Sequence, residues 1–168
     1  MKIHTRESFG KAAKARGSYW SHWQERWKYM LIVAKYLTEW DVDSMLELGC
    51  RGVPISTDSD TMDIVGEPTI KHDATVTPWP IEDKRYEAFV ATQVWEHLGT
   101  SQVFAFKEVM RISRVAILSF PLNWHGSSMP EHNDIDYAVI RKWTCGVNPI
   151  TIVDVGRPTR SVWIWEFD

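Results

Sequence analysis

The chain has 168 residues, enough for one domain that buries roughly two-thirds of its unfolded surface. Apolar residues make up 44% and charged residues 24%, as in ordinary globular proteins, and a net charge of −3 gives no electrostatic reason for a polyanionic partner. Two cysteines, Cys50 and Cys145, are too few for a disulfide framework and lack metal-ligand spacing, which points to a reducing, cytoplasmic setting.

No apolar run approaches membrane-spanning length, and residues 1–6 lack the apolar core of a secretion signal, so no membrane contact is expected. Residues 1–17 are basic (Lys2, Arg6, Lys11, Lys14, Arg16) and weakly patterned, fitting a loose arm or a short helix. From Ser18 to about Glu39, Trp20, Trp23, Trp27, Met30, Leu31, Ala34 and Leu37 recur at three- and four-residue steps and share one helical face. Ser21 with Gln24 can form a capping box, or Ser18 can cap one turn earlier. The ten tryptophans suit core and rim packing, or a pocket lined by several of them.

Beyond this helix, short β-rich runs alternate with helical ones. Strands are predicted over residues 45–48, 61–65, 69–72, 87–92 and 114–120, with a helix over 101–112 whose apolar face holds Val103, Phe106, Val109 and Met110. A short helix over 136–143 follows, then residues 150–155 and 161–167 form an antiparallel pair turned at Gly156-Arg157-Pro158. The pattern specifies a doubly wound, Rossmann-like α/β sheet, mostly parallel with an antiparallel C-terminal edge. It is a single domain over 1–168, with an arm and covering helix in 1–40 and the α/β core in 44–167. Such sheets bind ligands beyond the carboxyl ends of their strands.

Within residues 44–121 the order and spacing of several motifs resemble a known family. Glu47-Leu48-Gly49 closes the first strand, Met62-Asp63 lies in the second and Asp73-Ala74 follows the third. Then come Pro78-Trp79-Pro80, the strand from Tyr86 to Ala91, and Val94-Trp95-Glu96-His97-Leu98. Glu108 to Ile112 and Ser119-Phe120-Pro121 complete the likeness. These resemble class I S-adenosylmethionine (SAM) dependent methyltransferases of the small-molecule, type 11-like kind. The resemblance implies SAM as cofactor. Asp63, beside Met62, would take both ribose hydroxyls, and Asp73 with the Ala74 amide would hold adenine. Glu47, Gly49, Cys50, Arg51 and Gly52 would surround the amino-acid end, while Thr92, Gln93 and His97 would rim the sulfur and the substrate. Trp20, Trp23 and Trp27 would either cover the cleft or simply pack on the sheet.

The glycine loop departs from the family pattern. It reads Glu47-Leu48-Gly49-Cys50-Arg51-Gly52-Val53, with Arg51 and Val53 where glycines are usual and Pro54 next. About ten residues separate Gly49 from the second strand, fewer than a helical crossover needs, so the first crossover helix shrinks to a turn over 54–60. Arg51 could pair with the cofactor carboxylate or block the pocket. His97, His125 and His132 are the candidate bases, with His97 and His132 favoured for the acceptor proton. Residues 132–136 carry metal-compatible side chains, but helix capping by Asp134 or Asp136 accounts for the acids, so no metal is expected. The leading expectation is methyl transfer to a small-molecule acceptor such as a sugar or biosynthetic intermediate. Its rival is a non-catalytic binding or scaffolding protein of the same fold. No nucleic-acid partner is expected, because no Asn/Asp-Pro-Pro-aromatic run follows the fourth strand. Trp163 or Trp165, if exposed on the last strand, could mark the edge of a homodimer.

Overall fold

Period-two alternation along the strands sorts the core into two halves, one on each face of a central sheet. The computed structural model describes residues 1–168. Its elements are α1 (Arg6–Ala15), α2 (Trp23–Glu39), β1 (Met45–Leu48), β2 (Asp60–Asp63), β3 (Ile70–Lys71), β4 (Tyr86–Thr92), α3 (Gln102–Ile112), β5 (Ser113–Pro121), α4 (Tyr137–Trp143), β6 (Thr151–Val155) and β7 (Arg160–Glu166). The seven strands form one sheet in the order β3-β2-β1-β4-β5-β7-β6. The first five are parallel, and β7 runs antiparallel to both β5 and β6. Met45, Ala88, Val90, Ile117, Val162 and Ile164 face α1 and α2, whereas Leu46, Leu48, Phe89, Ala91, Leu118, Trp163 and Trp165 face the side of α3 and α4.

No helix connects β1 to β2, in keeping with the short connection read from the sequence. The N-terminal segment takes up the space beside it. Ile3 bridges Ser56, the His4 amide donates to the Ile55 carbonyl at 2.9 Å, and the Thr57 amide donates to the Lys2 carbonyl at 3.1 Å. A Thr5/Ser8 capping box starts α1, and its Phe9 and Ala13 join the same core cluster as Val53 and Ile55. Residues 6–15 are therefore a packed helix, the second of the two forms expected for the arm.

Two local expectations are corrected. The Ser21/Gln24 capping box does not form: Ser21 has helical dihedrals because it closes a 3₁₀ turn over Ser18–Trp20, and α2 starts behind His22 with no side-chain cap. Ser18 does not cap α2 either, since it lies inside that 3₁₀ turn. Trp163 and Trp165 are fully buried, because β7 is an interior strand covered on one side by β6. They mark no dimer edge.

Candidate functional site

Strand order reverses between β2-β1 and β4-β5, and a cavity of about 700 Å³ opens at the carboxyl ends of those strands. Gly49 after β1, Asp63 at the end of β2, Asp73 and Ala74 after β3, and Gln93 after β4 all line it. Arg51, His97 and His132 line it too. Of the residues assigned from the sequence, Glu47, Cys50, Gly52, Met62 and Thr92 do not. Cys50 and Gly52 instead line an adjoining cavity of about 670 Å³, which shares Arg51 and Asp63 with the first.

Gly49 makes the close turn out of β1. Its φ is +73°, and a Cβ there would sit 2.5 Å from a Val94 methyl, so both backbone and space require glycine. Asp63 is buried and holds the loop in place: its Oδ2 accepts from the Arg51 amide and its Oδ1 from the Val65 amide, both at 3.1 Å. Each oxygen keeps a further lone pair for a ligand hydroxyl. Asp73 is exposed, and its Oδ1 accepts from the Thr75 amide at 2.9 Å and the Thr75 hydroxyl at 2.8 Å. Those two bonds hold its carboxyl below the ordinary range and so keep it charged. Glu47 points away from the cavity. The pleat of β1 sends it toward the α1/α2 layer, where Oε2 accepts from the Ile55 amide at 2.6 Å and burial pushes its pKa up to about 8.

Three guanidiniums reach the cavity, each laid on an aromatic ring. Arg51 lies 4.6 Å from the Tyr19 centroid, Arg26 lies 4.7 Å from it on approach to the same ring, and Arg160 sits 4.9 Å from Trp124 and 5.5 Å from Tyr29. Arg51 thus forms a wall between the two cavities. Burial lowers the Arg160 pKa, and its Nε is buried with no partner. The covering segment does reach the cleft, but through Tyr19, His22, Arg26 and Tyr29. Trp20 and Trp27 pack into the core around Phe9, and Trp23 lies against Gly10. The apolar periodicity picked out Trp27, Met30, Ala34 and Leu37 on the buried face of α2, but Leu31, expected on that face, is exposed, and the cavity uses the polar flank of α2 and the turn before it.

The opposite wall carries a cluster of four side chains. His97 and Glu96 belong to a 3₁₀ turn over Trp95–His97 after β4, and Glu131 and His132 to another over Pro130–His132. His97 Nδ1 meets Glu131 Oε1 at 3.1 Å, His97 Nε2 meets His132 Nε2 at 3.3 Å, and His132 Nε2 lies 3.8 Å from Glu96 Oε1. The Glu96 side chain is fully buried, and neither of its oxygens has a hydrogen-bond partner. Burial pushes its pKa up to about 8. His132 is lowered first by burial and then by the neighbouring His97, which favours the neutral ring. The third histidine, His125, pairs with Asp134 at 2.8 Å in the exposed loop, outside the cavity. Asp136 caps α4 by accepting from the Val139 amide, as read from the sequence.

No protein-family model matches this sequence, and no curated protein matches it. Solved structures do match its fold. The PH0226 protein from Pyrococcus horikoshii OT3 aligns with a TM-score of 0.63 and 13% identity over 91% of this chain and 93% of its own. The methyltransferase domain of bacterial CtHen1-CN aligns with a TM-score of 0.60 and 15% identity over 83% of this chain and 97% of its own. The N-methyltransferase NodS from Bradyrhizobium japonicum WM9, solved with S-adenosylhomocysteine, aligns with a TM-score of 0.56 and 12% identity over 78% and 81%. With the strand order above, these likenesses define a Rossmann-like, class I methyltransferase fold.

Proposed function

We propose that this chain binds SAM in the 700 Å³ cavity and transfers its methyl group to a small-molecule acceptor. One observation carries the reading. A single cavity at the strand-order switch has the Asp63 and Asp73 carboxylates at one side and the His97/His132 pair at the other, in a fold whose similar structures include one holding S-adenosylhomocysteine. The volume lies within the range of about 300–1,000 Å³ typical of small-molecule sites. Asp63 takes the ribose hydroxyls through its remaining lone pairs. Asp73 and the Ala74 amide hold adenine. The methionine carboxylate falls to the unpaired guanidiniums of Arg26 and Arg51, which replace the glycines and helix N-terminus that this loop lacks.

Methyl transfer is an in-line displacement. A lone pair on the acceptor attacks the methyl carbon as the carbon–sulfur bond breaks toward sulfur, leaving S-adenosylhomocysteine. The protein's largest contribution is alignment of the three atoms. An acceptor hydroxyl must also lose its proton, and the His97/His132 wall is where that proton is handled.

Calorimetric titration of S-adenosylhomocysteine into the full chain tests the reading. We expect saturable binding that Asp63→Ala and Asp73→Ala each weaken about tenfold or more, as for loss of a charge-assisted hydrogen bond. No heat at millimolar ligand would leave the non-catalytic, scaffolding role as the function of this fold.

A further inference from the structure

The Glu96, His97, His132 and Glu131 cluster has more acceptors than protons to share among them. His97 Nδ1 faces a Glu131 carboxylate oxygen at 3.1 Å, so the neutral ring donates there and leaves a bare lone pair on Nε2. His132 Nε2 stands 3.3 Å from that lone pair, and its one proton can satisfy His97 alone. Glu96 is then left with two buried oxygens and no donor at all. A buried carboxylate without partners is costly.

One ligand removes the conflict. Single donor atoms of Glu96, His97 and His132 all lie within 4.8 Å of one another, with 3.3 Å and 3.8 Å for the two pairs at His132 Nε2. Ligand atoms about 2.0–2.2 Å from a common cation stand roughly 3–3.5 Å apart, so small side-chain rotations close the set. Glu131 then behaves as the outer carboxylate that commonly orients a metal-bound histidine, fixing the tautomer that presents Nε2. We propose that Glu96, His97 and His132 form a binding site for a divalent first-row cation, with Glu131 as a positioning residue. Two imidazoles and one carboxylate suit Zn²⁺ or Mn²⁺, and disfavour Mg²⁺ and Ca²⁺, which prefer all-oxygen sites. His97 and His132 were legible as site histidines but not as a metal pair, because 35 positions separate them and the burial of Glu96 is a tertiary property.

His97 and His132 line the cavity while Glu96 lies behind them, so the remaining coordination positions face the acceptor. With a cation bound, both histidines serve as its ligands, and the ion takes over the deprotonation otherwise assigned to the histidine wall. It lowers the pKa of a bound hydroxyl, whose proton passes to solvent before the oxygen attacks a methyl donor. The site itself stands without the methyl-transfer reading, and its test needs neither SAM nor acceptor.

The full-length chain, stripped with a chelator and dialysed, is titrated with ZnCl₂ by calorimetry and with MnCl₂ by electron paramagnetic resonance. The expected result is saturable binding of a single equivalent, weakened tenfold or more by His132→Ala and by Glu96→Gln, and more mildly by Glu131→Gln. Circular dichroism of each variant checks that it folds. For any variant that does not, anomalous scattering from Zn²⁺-soaked crystals of the unaltered chain locates the ion directly. Absence of stoichiometric binding, unchanged affinity in folded variants, or an ion elsewhere would overturn the proposal. Failure of S-adenosylhomocysteine binding with intact metal binding would instead strike only the methyl-transfer reading.

Discussion

The buried Glu47 shows how position on the sheet decides the work of a carboxylate. Glu47 sits at an odd position of β1, where the pleat turns it from the cavity into the α1/α2 layer. There it accepts the Ile55 amide and ties the shortened crossover to the first strand. Burial raises its pKa to about 8 from an ordinary value of 4.5, so between those values the folded chain binds more protons than the unfolded one. By linkage, stability contributed at this position is fully present below about pH 4.5, falls as pH rises through about 8, and levels off above. The total effect is on the order of a few kcal/mol. Glu47→Gln keeps an oxygen for the Ile55 amide and removes the titration. Thermal melts from pH 5 to 8.5 should show a shallower loss of Tm in the variant than in the unaltered chain. Parallel curves would mean that Glu47 is solvated, contrary to its burial.

Among the elements, α1 has the largest effect relative to its signal in the sequence. Its sequence fits a loose arm as well as a short helix, because five cations and two glycines in residues 1–17 dilute the pattern and only Phe9 and Ala13 mark a core face. Tertiary contact makes it an element: the bridge from Ile3 to Ser56 sets it beside the connection that lacks a helix. Phe9 is fully buried against Trp20 and Trp27, at centroid distances of 5.7 and 5.2 Å. Phe9→Ala should cost about 3–5 kcal/mol, the range for large aromatic truncations in a core. That corresponds to a fall in Tm of about 10 °C for a chain of this length. A change within error would show that α1 is a detachable arm. The strands were legible in advance because β-branched and apolar runs between turn residues survive any tertiary context, and their boundaries moved by only a residue or two. The polar flank of α2 was not legible. Arg26 and Tyr29 on α2, with Tyr19 and His22 just before it, form no apolar stripe, and their place at the cavity depends on how α2 lies across the sheet. The acids at the ends of β2 and β3 were readable because strand termini, strand order and ligand position are linked in this architecture.

At the scale of the whole molecule, a class I methyltransferase fold is combined with a remodelled glycine loop. Arg51 takes a left-handed φ of +46° where a glycine would be expected, and its side chain is drawn onto Tyr19 instead of filling the pocket. The cavity therefore stays open despite the altered loop, with the Asp63 and Asp73 carboxylates on one side and the His97/His132 cluster on the other. Fold likeness at 11–15% identity leaves activity to be argued from this site. The most direct test is a crystal structure of the full chain grown with millimolar S-adenosylhomocysteine. The ribose hydroxyls should lie on Asp63, adenine beside Asp73 and Ala74, and the sulfur should face His97 and His132. An empty cavity, or a ligand bound away from Asp63 and Asp73, would contradict that placement.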